Sequence, residues 1–299
     1  LFRHADSVQW LLAARIAQGV ATGIATSALS AALLDLHRDR GPLLNSVTPL
    51  FGMAIGALGA GALAEFAPAP TRLVFDALLV VLALQAIAAF WLPETVTRRP
   101  GALASLKPTL ALPRRARATL WQVLPVNTAQ WALGGFYASL GPSLARIVSG
   151  SRSPTLGGAV VAALVLSGAV AVLFVRSRPA RLALAGGAAA LVVGVSVTLA
   201  GVLAHSTAAF FAGSVIAGLG FGAAFNGTVR SLVPLAEPHE RAGLMSTFFV
   251  LSYLAFSLPA VAAGLFAGRF GLQAASLGYG LLLIALAVVA LAMMARRKG

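Results

Sequence analysis

The chain has 299 residues, of which 59% are hydrophobic and only 10% are charged, and its mean hydropathy is +0.90. Soluble domains carry about 25% charged residues, so this composition excludes an ordinary soluble enzyme and indicates a protein of the lipid bilayer. The formal net charge is +14, and the absence of cysteine excludes disulfides, iron–sulfur clusters and thiolate zinc sites.

Nine stretches of the sequence are long and apolar enough to cross a bilayer as helices, since a span needs about 20 mostly apolar residues. Backbone groups in lipid must bond within their own segment, which favours helices, and the stretches are too long for the strands of a membrane barrel. The sequence therefore predicts an all-α polytopic membrane bundle. Its predicted spans are Trp10–Leu34, Leu43–Leu63, Leu73–Leu92, Leu120–Ile147, Leu156–Val175, Leu182–Ala204, Ala208–Val233, Leu244–Phe266 and Leu272–Ala295.

Basic residues are distributed unequally between the loops on the two sides of these spans. One side holds 16 of the 22 arginines and lysines and the other side holds 5, while Arg15 lies inside a span. Because cytoplasmic loops are enriched in arginine and lysine, we predict a multi-pass protein of the plasma or inner membrane with a cytoplasmic C-terminus. The positive charge is thus assigned to topology and lipid headgroups, and no nucleic-acid partner is expected.

An internal repeat relates the start of the chain to its second half. Residues Arg15–Gly23 resemble Ser214–Gly222 at an offset of 199 residues. This offset is the length of about six membrane helices with their turns. Transporters built from two parallel six-helix halves have such a repeat. The second copy lies in the fourth helix after a basic segment, so we expect three further helices before Leu1. The predicted domains are a partial N-terminal half with three spans (1–95), a basic cytoplasmic loop (96–118) and a complete six-helix C-terminal half (119–299).

Three motifs in chain order carry a family resemblance. Arg15–Gly19 is similar to an Arg-x-x-Gln-Gly motif of a fourth helix, Gly52–Gly61 to a glycine-rich fifth-helix motif, and Leu92–Thr95 to the end of a sixth helix before a basic loop. On these residues the chain resembles the major facilitator superfamily of secondary transporters, from its fourth helix to its twelfth. Two features depart from the family: Ala57 replaces the proline of proton-linked antiporters, and the loop Arg176–Arg181 lacks the usual aspartate.

The predicted span Leu120–Ile147 carries an unusually polar helix face, because Asn127, Gln130 and Trp131 lie at i, i+3 and i+4. An amide in lipid is costly, so this face is expected to turn inward, either towards a substrate or towards a hydrogen-bonding neighbour helix. The resemblance makes this span the family's seventh helix and Ala208–Val233 its tenth, both of which line a central cavity. The predicted substrate-binding residues are Asn127, Gln130, Trp131, Tyr137, Phe225 and Asn226.

A charged residue and several glycine pairs complete the predicted site. The resemblance implies that Arg15 couples transport to protons or substrate; the alternative is that its side chain reaches the nearby membrane interface, about 7.5 Å along the helix. Small residues four apart permit close helix approach, either for static packing or for gating. A role in packing or gating is predicted for Gly19, Gly23, Gly52, Gly56, Gly218 and Gly222.

No catalytic site, metal site or cofactor is predicted. The four histidines show no His-x-x-x-His spacing, and there is no phosphate-binding glycine loop with lysine. We predict a monomeric transporter without enzymatic activity that works by alternating access as a proton antiporter. Its predicted partners are protons, membrane lipid and the small, partly apolar compounds that it exports. The alternatives are proton-symport uptake of a neutral metabolite, or a membrane remnant that transports nothing.

Overall fold

The structure is a computed structural model, which describes residues 7–37, 39–91, 110–237 and 239–296. These ranges contain helices and connecting segments but no strand. The α-helices are α1 (Val8–Leu36), α2 (Gly41–Phe66), α3 (Pro70–Ala89), α4 (Arg114–Ser139), α5 (Gly141–Ser149), α6 (Pro154–Val175), α7 (Ala180–Leu203), α8 (Thr207–Leu232), α9 (Arg241–Phe270) and α10 (Leu272–Ala295). A short 3-10 turn, Val233–Leu235, follows α8.

Eight helices in the described ranges are long and apolar enough to cross a membrane, namely α1 to α3 and α6 to α10. They correspond to eight of the nine predicted spans and are consistent with an all-α polytopic bundle. The helix of the ninth predicted span, Leu120–Ile147, is not among them, because α4 is long enough but too polar. The same span also divides at Leu140 into α4 and α5. Pro142 in the first turn of α5 has no N–H to continue the hydrogen-bond ladder.

The first residues of α4 were predicted to belong to the basic loop 96–118. Instead α4 begins at Arg114, directly after Pro113, whose φ of −53° suits a helix start. Arginine is also a good helix former, so the basic residues extend the helix into the predicted loop. The other basic residues of this predicted loop lie outside the described residues, as does the motif Leu92–Thr95.

By its internal contacts the chain divides into two units, residues 1–49 with 62–100 and residues 50–61 with 101–299. In the first unit, α1 exposes nearly all of its described side chains, and Ala14 is an exception. Within this unit the Asn45 side-chain Nδ2 of α2 donates a hydrogen bond to the Ser30 carbonyl oxygen of α1 at 3.0 Å.

The second unit has a continuous apolar core to which α4 through α10 contribute. Its helices approach backbone to backbone where glycines face each other. A Cβ added at Gly222 of α8 would collide with the carbonyl oxygen of Gly168 in α6, and one at Gly218 with the carbonyl oxygen of Leu164. Small residues therefore set the distance between α6 and α8, as they do in many membrane bundles.

Gly222→Ala is expected to lower the unfolding temperature of the purified protein in detergent. The added methyl group has no space, and overpacking a close interface costs about 1–3 kcal/mol. The matched control is Gly186→Ala on α7, because no described atom lies within 4 Å of a Cβ there. That variant should keep or raise the unfolding temperature, since alanine favours helix by up to about 1 kcal/mol over glycine. Equal unfolding temperatures for the two variants would contradict the packing described here.

Candidate functional site

Helix α4 carries a buried amide network, which we define as Asn127, Gln130 and Ser252. The Asn127 Nδ2 donates to the Ser252 Oγ of α9 at 2.9 Å, and the Gln130 Nε2 donates to the Asn127 Oδ1 at 3.0 Å. Ser252 in turn donates to the Phe248 carbonyl oxygen at 2.8 Å. All three side chains are buried, so the predicted polar face does turn inward and connects α4 to α9.

Two polar atoms beside this network lack a hydrogen-bond partner among the described residues. They are the Gln130 Oε1, an acceptor, and the Trp131 Nε1, a donor, and both atoms are buried. Leaving a buried polar atom unpaired costs about 1–3 kcal/mol. Such atoms are rare in folded proteins and call for a specific explanation.

Trp131 also belongs to an aromatic cluster, which we define as Trp131, Phe225, Phe249 and Tyr253. The Trp131 ring centroid lies 6.4 Å from that of Phe225, 6.2 Å from that of Phe249 and 5.2 Å from that of Tyr253, all in edge-to-face orientation. Tyr253 is 59% exposed, so the cluster runs from the surface of the second unit to the amide network. These edge-to-face contacts pack α4 against α8 and α9.

Tyr137 lies apart from both groups and is fully buried. Its hydroxyl donates to the Ser214 Oγ of α8 at 2.9 Å and lies 3.0 Å from the Thr198 Oγ1 of α7. Ser214 and Thr198 donate in turn to the carbonyl oxygens of Phe210 and Gly194. Tyr137 thus joins three helices of the second unit, a position typical of a residue that holds a bundle together.

The two candidates on α8 have different surroundings although they are adjacent in sequence. Phe225 joins the aromatic cluster, whereas the Asn226 Oδ1 accepts a hydrogen bond of 3.4 Å from the Arg230 Nη1. The same nitrogen of Arg230 donates to the Val175 carbonyl oxygen at 3.1 Å, at the end of α6. Asn226 therefore supports a contact between α6 and α8 rather than the amide network.

Arg15 belongs to the first unit, whereas the amide network and the aromatic cluster belong to the second. Its side chain is exposed, and its Nη1 donates to the Gln18 Oε1 at 2.9 Å. This bond joins the arginine and the glutamine of the Arg-x-x-Gln-Gly motif.

The glycine candidates also divide into two groups. Gly218 and Gly222 make the close contacts of α8, whereas a Cβ at Gly19, Gly23, Gly52 or Gly56 would have no described atom within 4 Å. The segment of α2 that belongs to the second unit contacts α6 through another face: Ala54 packs against Ala162 and Val165. A Cβ at Gly158 would collide with the carbonyl oxygen of Ala57, the residue that replaces the family's proline.

Sequence reasoning missed the α9 side of the site, which comprises Ser252, Phe249 and Tyr253. A signal was present, since residues 246–257 of this span concentrate hydroxyl and aromatic side chains. It also missed Thr198 and Ser214, the partners of Tyr137. Isolated hydroxyls of this kind usually bond to their own helix backbone, which hides their contacts to other helices.

Among the described residues, no three histidine, aspartate or glutamate side chains lie close enough together to hold a metal ion. The chain matches no protein-family model, and comparisons with curated proteins and with solved structures give no match either.

Proposed function

We propose that the protein is a secondary active transporter of the major facilitator type, which exports a small, partly apolar molecule in exchange for protons. The observation that carries this proposal is the pair of buried, unpaired atoms, Gln130 Oε1 and Trp131 Nε1, at the end of an aromatic cluster in an apolar bundle. Binding of a neutral, partly aromatic molecule would supply the missing hydrogen bonds.

The positions of the carboxylates in the second unit disfavour a cationic cargo. The carboxylates among its described residues are Glu237 and Glu240, which precede α9 and lie outside the amide network. Glu237 is engaged by Arg115 at 3.6 Å. A cationic molecule would therefore meet no carboxylate at the amide network, and its desolvation would go uncompensated.

The same proposal includes four further properties: coupling to protons, a monomeric state, a cytoplasmic C-terminus and location in the plasma or inner membrane. They rest on the distribution of basic residues, on the internal repeat and on the family resemblance, in which Arg15 is the coupling residue. Alternating access would expose the site on one side of the membrane and then on the other. In this proposal the protein binds and moves its cargo without catalysing a reaction on it.

The proposal is tested with radiolabelled chloramphenicol, a small neutral probe with an aromatic ring, hydroxyls and an amide. Everted membrane vesicles containing the protein should accumulate the probe when a proton gradient is imposed, acidic inside, and should lose it when an ionophore collapses the gradient. Accumulation in right-side-out vesicles that depends on a gradient acidic outside would instead indicate uptake by symport. If vesicles with and without the protein behave alike in both orientations, the proposed export of such compounds is wrong.

A further inference from the structure

Helix α5 has two chemically different faces. Leu144, Ala145 and Val148 are buried, whereas Arg146 and Ile147 are exposed on the opposite side. A helix with a buried apolar face and a basic outer face is typical of the zone where a bilayer meets water. The exposed isoleucine beside an arginine fits the same zone, because arginine extends its charge outward while apolar atoms stay in the hydrocarbon.

A pocket of about 400 Å³ opens beside this outer face. Its lining includes Arg146 and Ile147 of α5, Ser143 one turn earlier, Ser151 and Arg152 of the following loop, and Leu272 at the start of α10. Since a water molecule occupies roughly 30 Å³ of liquid, the space accommodates a phosphate ester together with the glycerol that it carries.

The pocket concentrates positive charge without compensation. Two guanidinium groups line it, and none of its lining residues is acidic. The Arg146 Nη2 donates to the Ser143 Oγ at 3.3 Å, which uses one of the five N–H donors of that arginine. Two guanidinium groups beside one pocket give it a positive potential that attracts an anion. Arginine pairs favour phosphate because the planar fork of N–H groups matches two phosphate oxygens at once.

We propose that this pocket binds the phosphate group of a phosphate ester, held by Arg146 and Arg152 with the hydroxyls of Ser143 and Ser151. The ligand chemistry is shared by two sources, the headgroup of an anionic phospholipid and a soluble phosphate ester. Ile147 and Leu272 provide apolar surface for the glycerol and the upper acyl chain of a lipid. This site lies outside the amide network and the aromatic cluster. The proposal that it binds phosphate therefore does not depend on the proposed transport function.

The test uses the purified full chain in neutral detergent, with lipid binding read by native mass spectrometry. Phosphatidylglycerol and phosphatidylcholine are added in separate samples, and sn-glycerol 3-phosphate in a third, where its effect on the unfolding temperature is measured. The test variant is the double substitution Arg146→Gln and Arg152→Gln. The control is Arg176→Gln with Arg178→Gln, which removes the same charge from two exposed arginines of the loop before α7.

The wild-type protein and the control should retain phosphatidylglycerol in preference to phosphatidylcholine, and the test variant should retain about tenfold less of it. Its unfolding temperature without lipid should equal that of the wild type, since the arginines are exposed. If glycerol 3-phosphate alone raises the wild-type unfolding temperature and the test variant loses this effect, the pocket takes soluble phosphate esters. Equal retention by both double variants, with no effect of glycerol 3-phosphate, would overturn the proposal.

Discussion

Replacing Gln130 with methionine is expected to lower proton-driven accumulation of chloramphenicol about 5- to 150-fold per folded protein. The methionine side chain fills a similar volume but offers neither the unpaired acceptor nor the donor to Asn127. Losing one buried hydrogen bond to a neutral ligand costs about 1–3 kcal/mol, which corresponds to this range of rates. The measurement is the initial rate in everted vesicles, normalised to the amount of protein that remains monodisperse in detergent.

Stability distinguishes this role from a purely structural one. The unpaired Gln130 Oε1 is a cost to the empty protein, so removing it offsets the lost bond to Asn127, and the unfolding temperature should stay within a few degrees. The matched control is Gln122→Met on the same helix, eight residues earlier and only partly buried, which should leave transport unchanged. A lower unfolding temperature for Gln130→Met with normal transport per folded protein would assign Gln130 to bundle packing instead.

Tyr137→Ala is expected to destabilise the protein by about 3–5 kcal/mol, because it empties a fully buried aromatic site. Tyr137→Phe keeps the ring and removes only the hydroxyl that contacts Ser214 and Thr198, so its cost should be about 1 kcal/mol. The measurement is unfolding in detergent by heat or denaturant. Tyr253→Ala is the comparison, since Tyr253 is 59% exposed and its loss should cost only about 1 kcal/mol through its ring contact with Trp131.

Transport by the phenylalanine variant tests the prediction that Tyr137 binds substrate. With its hydroxyl turned to two neighbouring helices, we expect Tyr137→Phe to transport normally per folded protein. If Tyr137→Phe unfolds like the wild type but fails to transport, the hydroxyl serves the substrate and not the bundle.

The helices were predictable because a long apolar segment in lipid must pair its own backbone N–H and C=O groups, and an α-helix does so. Eight predicted spans have counterparts that meet this requirement among the described helices. The break between α4 and α5 was harder to predict, since Pro125 lies within α4 without dividing it, whereas Pro142 coincides with a division. Proline removes one hydrogen bond in both places, and the surrounding packing decides whether the helix continues.

For the candidate site, the sequence predicts only which residues share one face of a single helix. The i, i+3, i+4 spacing places Asn127 and Gln130 on one inward face, and the structure joins them by a hydrogen bond. Their partner Ser252 is 125 residues away from Asn127, and no local pattern specifies which helix will lie opposite. For the same reason composition alone could not separate Phe225 from Asn226, whose side chains point about 100° apart on one helix.

Site-directed labelling tests the central claim most directly, because the chain contains no cysteine and every introduced thiol is unique. Tyr253→Cys places a thiol at the exposed end of the aromatic cluster, and Leu281→Cys places one on the apolar surface of α10, where Leu281 is 60% exposed. A substrate pathway reached alternately from both sides predicts that a membrane-impermeant thiol reagent modifies Tyr253→Cys from either face of the membrane. It also predicts that chloramphenicol slows this reaction and that Leu281→Cys reacts from neither face. If Tyr253→Cys stays as unreactive as Leu281→Cys, or reacts from one face only with and without a proton gradient, the aromatic cluster is no part of an alternating pathway.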